Sequence, residues 1–351
     1  MRKRIICAVM ALILCFSMNS VSFAAGSGYS DVPADHWAAE SIHRATELGI
    51  FQGMNANTFG MGQAISRAAF VTALVRLFGW EAEEPATATF TDVPRGQWYS
   101  SAVETAVKNG AVTVSGKNFR PNEALTRGDM AAMIIRALGY ASLAGSVSAY
   151  ASPFSDVAVN KGFITMAYDM GIVSGVGNGK FDPKGTATRE QAATILVRVH
   201  DRLTAESQVL SDVGTRAVVK VETPAPVEGA ELPTTPLEPL QDLYAALRRL
   251  KESGRDLSGA VLYLTGGGVS TTVSIQDGAI ISTEDLSADQ VETILNRYDV
   301  RTYYSKRYES AYCIYEPNAY QVVTMWYQTE ESMAVKLQLA RMFGVTNYVL
   351  Q

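Results

Sequence analysis

Apolar and polar positions alternate in two distinct ways along this chain. Near the start, Trp37, Ile42, Ala45 and Gly49 follow helical spacing from a polar start at Asp35, and a glycine at the end suits a left-handed stop. A Gly- and Asn-rich loop runs from Gly49 to Ala64. A second helix then begins at Ser66, a residue suited to capping, and carries Phe70, Leu74 and Leu77 on one stripe before Gly79. Beyond residue 240 the pattern changes. Leu240 to Glu252 predicts an amphipathic helix, Ala260 to Leu264 and Val269 to Ile275 predict strands about a Gly266–Gly268 hairpin turn, and Ala288 to Tyr298 predicts a helix capped by Ser287. Residues 311–327 alternate as strands do, Glu330 to Phe343 predicts a helix, and Asn347 to Leu350 a last strand.

The first pattern repeats. Ser30-Asp31-Val32, Thr91-Asp92-Val93 and Ser155-Asp156-Val157 place their aspartates 61 and 64 residues apart, and Ser66-Arg67, Thr126-Arg127 and Thr188-Arg189 keep intervals of 60 and 62. Nine residues after each of these arginines stands another, Arg76, Arg136 and Arg198, and eight residues before each stands Phe59, Phe119 or Phe181. The copies fall at 28–82, 88–142 and 152–204. A lone helix pair of this size cannot bury its own stripe, so the three are expected to share one core.

Composition changes the picture at the ends. Arg2, Lys3 and Arg4 precede the apolar run Ile5 to Phe16, and Ser22-Phe23-Ala24 places small residues at both cleavage positions, so residues 1–24 are read as a secretory signal peptide cut before Ala25. Removing it takes two of the three cysteines and leaves Cys313 alone. It also leaves 30 − 3 = 27 basic against 35 acidic residues, which offers no broad field for nucleic acid or an anionic membrane. Residues 205–239 hold Pro224, Pro226, Pro233, Pro236 and Pro239 and are read as a semi-rigid linker. The unit from 240 to 351 is α/β or α+β.

The candidate chemistry lies at the repeated helix starts. The first amides of a helix lack intrahelical partners and carry partial positive charge, and an adjacent guanidinium adds a planar fork of donors, so Ser66-Arg67, Thr126-Arg127 and Thr188-Arg189 are expected to form local anion sites. Thr126 with Asp129 and Thr188 with Gln191 are read as capping boxes, whereas Ala69 breaks the first. The alternative is that each arginine pairs with the leading aspartate of its own or the adjacent copy. Trp37 and Trp98 could stack on a sugar or sit in the core; Arg76, Arg136 and Arg198 are read as structural or surface charge. Gly175–Lys180 fails as a phosphate loop because Phe181 stands where Ser or Thr is required, and His36, His43 and His200 lack metal-ligand spacing. No cofactor is expected.

Taken together, the aspartate-valine opening, the tryptophan-headed helix, the Gly-Ile or Gly-Val stop, the Phe-x-Pro loop and the Thr-Arg helix start resemble S-layer homology repeats. That resemblance implies a pseudo-threefold domain with a central helical bundle. It further implies a partner, a secondary cell-wall polysaccharide bearing pyruvyl ketals, held by Arg67, Arg127 and Arg189 with Asp31, Asp92, Asp156 and the flanking residues. The third copy departs from the pattern by offering Phe163 in place of a tryptophan, and the first by offering Met61 where the others have Pro121 and Pro183. Farther on, Val323-Thr324-Met325-Trp326-Tyr327, Glu330-Glu331-Ser332 and Lys336 resemble the closing strand and helix of the family-eighteen glycoside hydrolases. The catalytic Asp-x-x-Asp-x-Asp-x-Glu run of that family is missing, since no aspartate here follows another by three residues. The leading functional reading is therefore a secreted, wall-bound protein of a bacterium displaying a non-catalytic C-terminal unit. A wall-anchored glycan hydrolase using Glu316, Glu330 or Glu331 is the second, and an S-layer building block the third.

Overall fold

The structure, a computed structural model, describes residues 28–214, 231–264, 266–305 and 307–350. The signal-peptide reading lies outside the described residues. Two compact units result, one built from residues 28–168 and 172–208 and the other from residues 169–171 and those beyond 208.

In the first unit, three helix pairs follow the sequence pattern. They are α1 (Ala39–Glu47) with α2 (Arg67–Phe78), α3 (Ser100–Lys108) with α4 (Arg127–Ala137), and, after the short α5 (Ala141–Val147), α6 (Lys161–Asp169) with α7 (Arg189–Gly214). Gly49, Gly110 and Gly171 each take positive φ just past a first helix, the conformation in which a side chain would be strained. Phe59, Phe119 and Phe181, from the loops between paired helices, are completely or almost completely buried. Each such ring contributes roughly 2–3 kcal/mol of burial. α1 starts four residues later than Asp35, with no side-chain cap at Ala38. α7 continues to Gly214, ten residues into the stretch read as linker.

The copies are joined by backbone. Ile65 N–H donates to Ala187 C=O at 3.0 Å, Ala187 N–H to Leu125 C=O at 2.9 Å, and Leu125 N–H to Ile65 C=O at 2.8 Å. These three bonds form a closed circuit, one residue from each copy, with all three side chains buried.

The second unit holds two sheets. β1 (Glu231–Thr234), β2 (Val261–Leu264) and β8 (Asn347–Leu350) form a parallel sheet in the order β1-β2-β8; α8 (Leu240–Glu252) follows β1, and α10 (Glu330–Met342) precedes β8. Between β2 and α10 the chain builds an antiparallel sheet of β3 (Gly268–Ser274), β4 (Ile280–Leu286), β5 (Arg301–Ser305), β6 (Ser310–Asn318) and β7 (Gln321–Tyr327), ordered β4-β3-β7-β6-β5, together with α9 (Ala288–Arg297). The Gly266–Gly268 segment is therefore no hairpin turn. It carries the chain from one sheet to the other, and Gly268 is needed because a Cβ there would lie 2.6 Å from Trp326 C=O. Val291 of α9 packs on Cys313, Tyr315, Val323 and Met325. On the opposite face, register aligns Tyr303, Tyr312 and Trp326 across three strands. Their rings stack on one another at 5.1 and 4.6 Å, so their flat faces are largely occupied by their neighbours.

Candidate functional site

The helix starts are built differently from the expectation. Arg67 N–H donates to Glu123 C=O and Ala68 N–H to Pro121 C=O; Arg127 N–H donates to Gly185 C=O and Gly128 N–H to Pro183 C=O; Arg189 N–H donates to Gln63 C=O. The next amide along is met by the cap, Ser66 Oγ accepting from Ala69 N–H and Thr126 Oγ1 from Asp129 N–H. These amides are thus not open to an anion, because the loop of another copy supplies carbonyls in its place. Both expected capping boxes are half-formed: Asp129 turns to other partners, and at Thr188 the backbone donates to Gln191 Oε1 while the buried hydroxyl meets no partner among the described residues.

The aspartates do not pair with the arginines either. Asp31 accepts from the amides of Phe59 at 2.7 Å, Gly60 at 2.7 Å and Met61 at 3.0 Å. Asp92 accepts from Phe119 and Arg120, and Asp156 from Phe181 and Asp182. Each therefore fastens the loop of its own copy. Burial alone would raise the Asp31 carboxyl, but its amide donors outweigh that and hold it below the usual carboxylate range. Amide donation, from Phe181 first, does the same for Asp156.

The arginines reach onward in a cycle. Arg67 Nε donates to Phe119 C=O at 2.9 Å, Arg127 Nε to Phe181 C=O at 3.0 Å, and Arg189 Nε to Phe59 C=O at 2.8 Å. The guanidinium carbons stand 5.0, 4.6 and 5.0 Å from the centres of the same three rings. Arg127 and Arg189 make a second carbonyl bond, to Ser174 and Gln52. Burial lowers the pKa of all three, yet guanidinium stays charged at any ordinary pH.

Around Arg189 this hand-over leaves an opening of about 170 Å³, lined by Gln52, Gly53, Ala69, Arg76 and Trp98 among others. Trp98 is 64% exposed and Trp37 61%, which removes both from the core. Arg76, read from sequence as a bystander, joins Arg189 and Trp98 here. The nine-residue spacing after the helix-start arginine was its only signal. A polar opening with two guanidinium groups and an indole face suits an anionic, ring-bearing ligand.

The S-layer homology domain family matches residues 28–71, 89–131 and 153–193. Three stretches of the chain are thus similar to the S-layer homology domain. Among similar proteins are an amylopullulanase of Thermoanaerobacterium thermosulfurigenes, 34% identical over 46% of this chain and 9% of its own length, and an S-layer protein of Bacillus thuringiensis subsp. finitimus, 26% identical over 63% and 27%. The chain thus spans less than a third of either relative. A putative sporulation-specific glycosylase of Bacillus subtilis overlaps 32% of this chain and 36% of its own at 16% identity and a TM-score of 0.28.

In the second unit, Glu330 and Glu331 are exposed in the first turn of α10, where the helix end favours negative charge, and Glu316 is exposed on β6. Sequence reasoning missed a buried polar group on the same helix. Lys336 is 1% exposed, donates to Thr235 C=O at 3.0 Å, and burial lowers its pKa to about 8. Nearby, Tyr304 donates to Glu309, itself buried. Among the described residues no helix is long and apolar enough to cross a membrane, and no cluster of His, Cys, Asp and Glu could hold a metal.

Proposed function

We propose that this protein is secreted by a bacterium and held non-covalently at the cell wall. Its three S-layer homology domains act as one pseudo-threefold anchor on a secondary wall polysaccharide, whose pyruvyl carboxylates are the charged groups recognised. The observation that carries this reading is the opening where Arg189, Arg76 and Trp98 converge. The cyclic hand-over of arginines supports the threefold arrangement, and the match to surface-layer relatives supports the location. Ser66, Thr126, Thr188 and the three aspartates contribute by shaping loops and helix starts around the ligand. The second unit is displayed outward and hydrolyses nothing, a reading supported by the missing aspartate ladder.

Sedimentation of the full chain with bacterial walls, before and after chemical removal of the secondary polymer, tests the anchor. Binding should vanish with the polymer. Retention on the stripped peptidoglycan would refute it.

A further inference from the structure

The residue two positions after each helix-start arginine differs among the copies: Ala69, Asp129 and Gln191. Two of the three, Ala69 and Asp129, stand beside a guanidinium arriving from another copy. Around Arg189 it is Ala69, whose methyl group lines the opening. Around Arg67 it is Asp129, with Oδ2 3.2 Å from Arg67 Nη1, and Oδ1 accepting from Asn160 Nδ2 at 3.4 Å. Among the described residues, Arg67 is the one arginine of the three in such an ion pair. A second difference falls in the same seam. Phe163, standing in for a tryptophan, places its ring 4.5 Å from the guanidinium of Arg136, which is half-buried, whereas its counterpart Arg76 is exposed.

We infer that Asp129 is a built-in occupant of the anion position, filling in the Arg67 seam the place that the Arg189 seam leaves for a carboxylate of the wall glycan. This rests on the anchoring reading. A guanidinium fork accepts one carboxylate well, and a second anion brought beside Asp129 would meet a like charge in a partly desolvated seam. By repeat position the counterpart for Arg127 is neutral Gln191, whose Oε1 accepts from Thr188 N–H, while Arg127 donates to the carbonyls of Phe181 and Ser174. The seams are therefore unequal: the Arg189 seam takes ligand, and the Arg67 seam is locked by the chain itself. Asp129 is thus a specificity-determining residue whose effect is exclusion.

The test transplants the lock. Ala69→Asp gives Arg189 the partner that Arg67 already has, and Asp129→Ala with Phe163→Ala removes the lock from the Arg67 seam. The full chain is titrated calorimetrically with the pyruvate 4,6-ketal of methyl β-glucopyranoside, with its methyl ester as the uncharged control, and with wall polymer. Wild type should bind the ketal but not the ester. The Ala69→Asp variant should show one site fewer, or about a tenfold or greater loss of affinity for polymer, and the double variant one site more. Circular dichroism verifies folding, and if Ala69→Asp fails to fold the double variant decides. Unchanged sites in a folded variant, beside a binding wild type, overturn this inference alone. A wild type that binds neither ketal nor polymer overturns the anchoring reading and this inference with it.

Discussion

Arg189→Ala should be the most damaging single change in the first unit outside its apolar core. Arg189 is 7% exposed, bonds the carbonyls of Phe59 at 2.8 Å and Gln52 at 2.9 Å, and lies over the rings of Phe59 and Phe51. Both carbonyls belong to a copy more than a hundred residues earlier, so this side chain adds to the backbone bonds that hold the third copy to the first. A hydrogen bond from a charged group contributes roughly 1.5–3 kcal/mol, and stacking over an aromatic ring about 0.5–2 kcal/mol. The cost of burying the charge disappears with it, which offsets part of the loss, leaving about 3–5 kcal/mol. For a unit of this size each kcal/mol corresponds to roughly 2–4 °C, so melting should fall by about 6–20 °C. Differential scanning calorimetry of wild type, Arg189→Ala and Arg189→Lys measures it. Lysine keeps the charge but has no fork to reach two carbonyls at once, and should recover less than half of the loss. A melting temperature for Arg189→Ala within about 2 °C of wild type, or full recovery by lysine, would refute the reasoning.

Three further outcomes are expected. Because Asp31 and Asp156 have folded pKa values below their unfolded ones, their stabilisation is complete above about pH 4 and is lost as pH falls through the depressed values; acid titration followed by circular dichroism should show Asp31→Asn flattening that limb. Lys336 has the opposite sign of dependence. Its folded pKa of about 8 lies below the unfolded value of 10.5, so the second unit should gain stability from pH 8 upward, about 3 kcal/mol over the whole window, until Tyr304, whose pKa is raised by burial and by Glu309, begins to oppose it above pH 10. Thermal scans at pH 7.5 and 9.5 should show the rise, and Lys336→Met should abolish it. Trp98→Ala, at a site 64% exposed, should leave melting unchanged within about 0.5 kcal/mol while weakening polymer sedimentation severalfold.

The repeated architecture was legible because three copies of one pattern stand in one chain, each confirming the marks of the others. The hand-over was not. When Arg67 bonds the carbonyl of Phe119, the acceptor is backbone and leaves no residue type to read. For the same reason the helix-start amides read from sequence as open donors, although carbonyls of Pro121, Glu123 and their counterparts fill them. In the second unit the strands of alternating side chains, β6 and β7, were legible. The edge strands β4 and β5 were not, since Ile280 to Leu286 and Arg301 to Ser305 are exposed over most of their length and show no buried face. α7 outran its apolar stripe, and its last turns gave no periodic signal.

The closed circuit of Ile65, Leu125 and Ala187 has a consequence for how the anchor comes into being. A linear stack of repeats can grow from one end, each unit resting on the last. A circuit cannot, because its final bond joins the first copy to the third across more than a hundred residues of intervening chain. Loop closure of that length costs only about 0.6 kcal/mol more per doubling, so the penalty is small in stability and larger in time. The first two copies of a nascent or partly exported chain would each carry an unmet seam until the third arrives. The anchor thus becomes competent in a single late step, and a chain severed before Ala187 would lose two of its three seams at once.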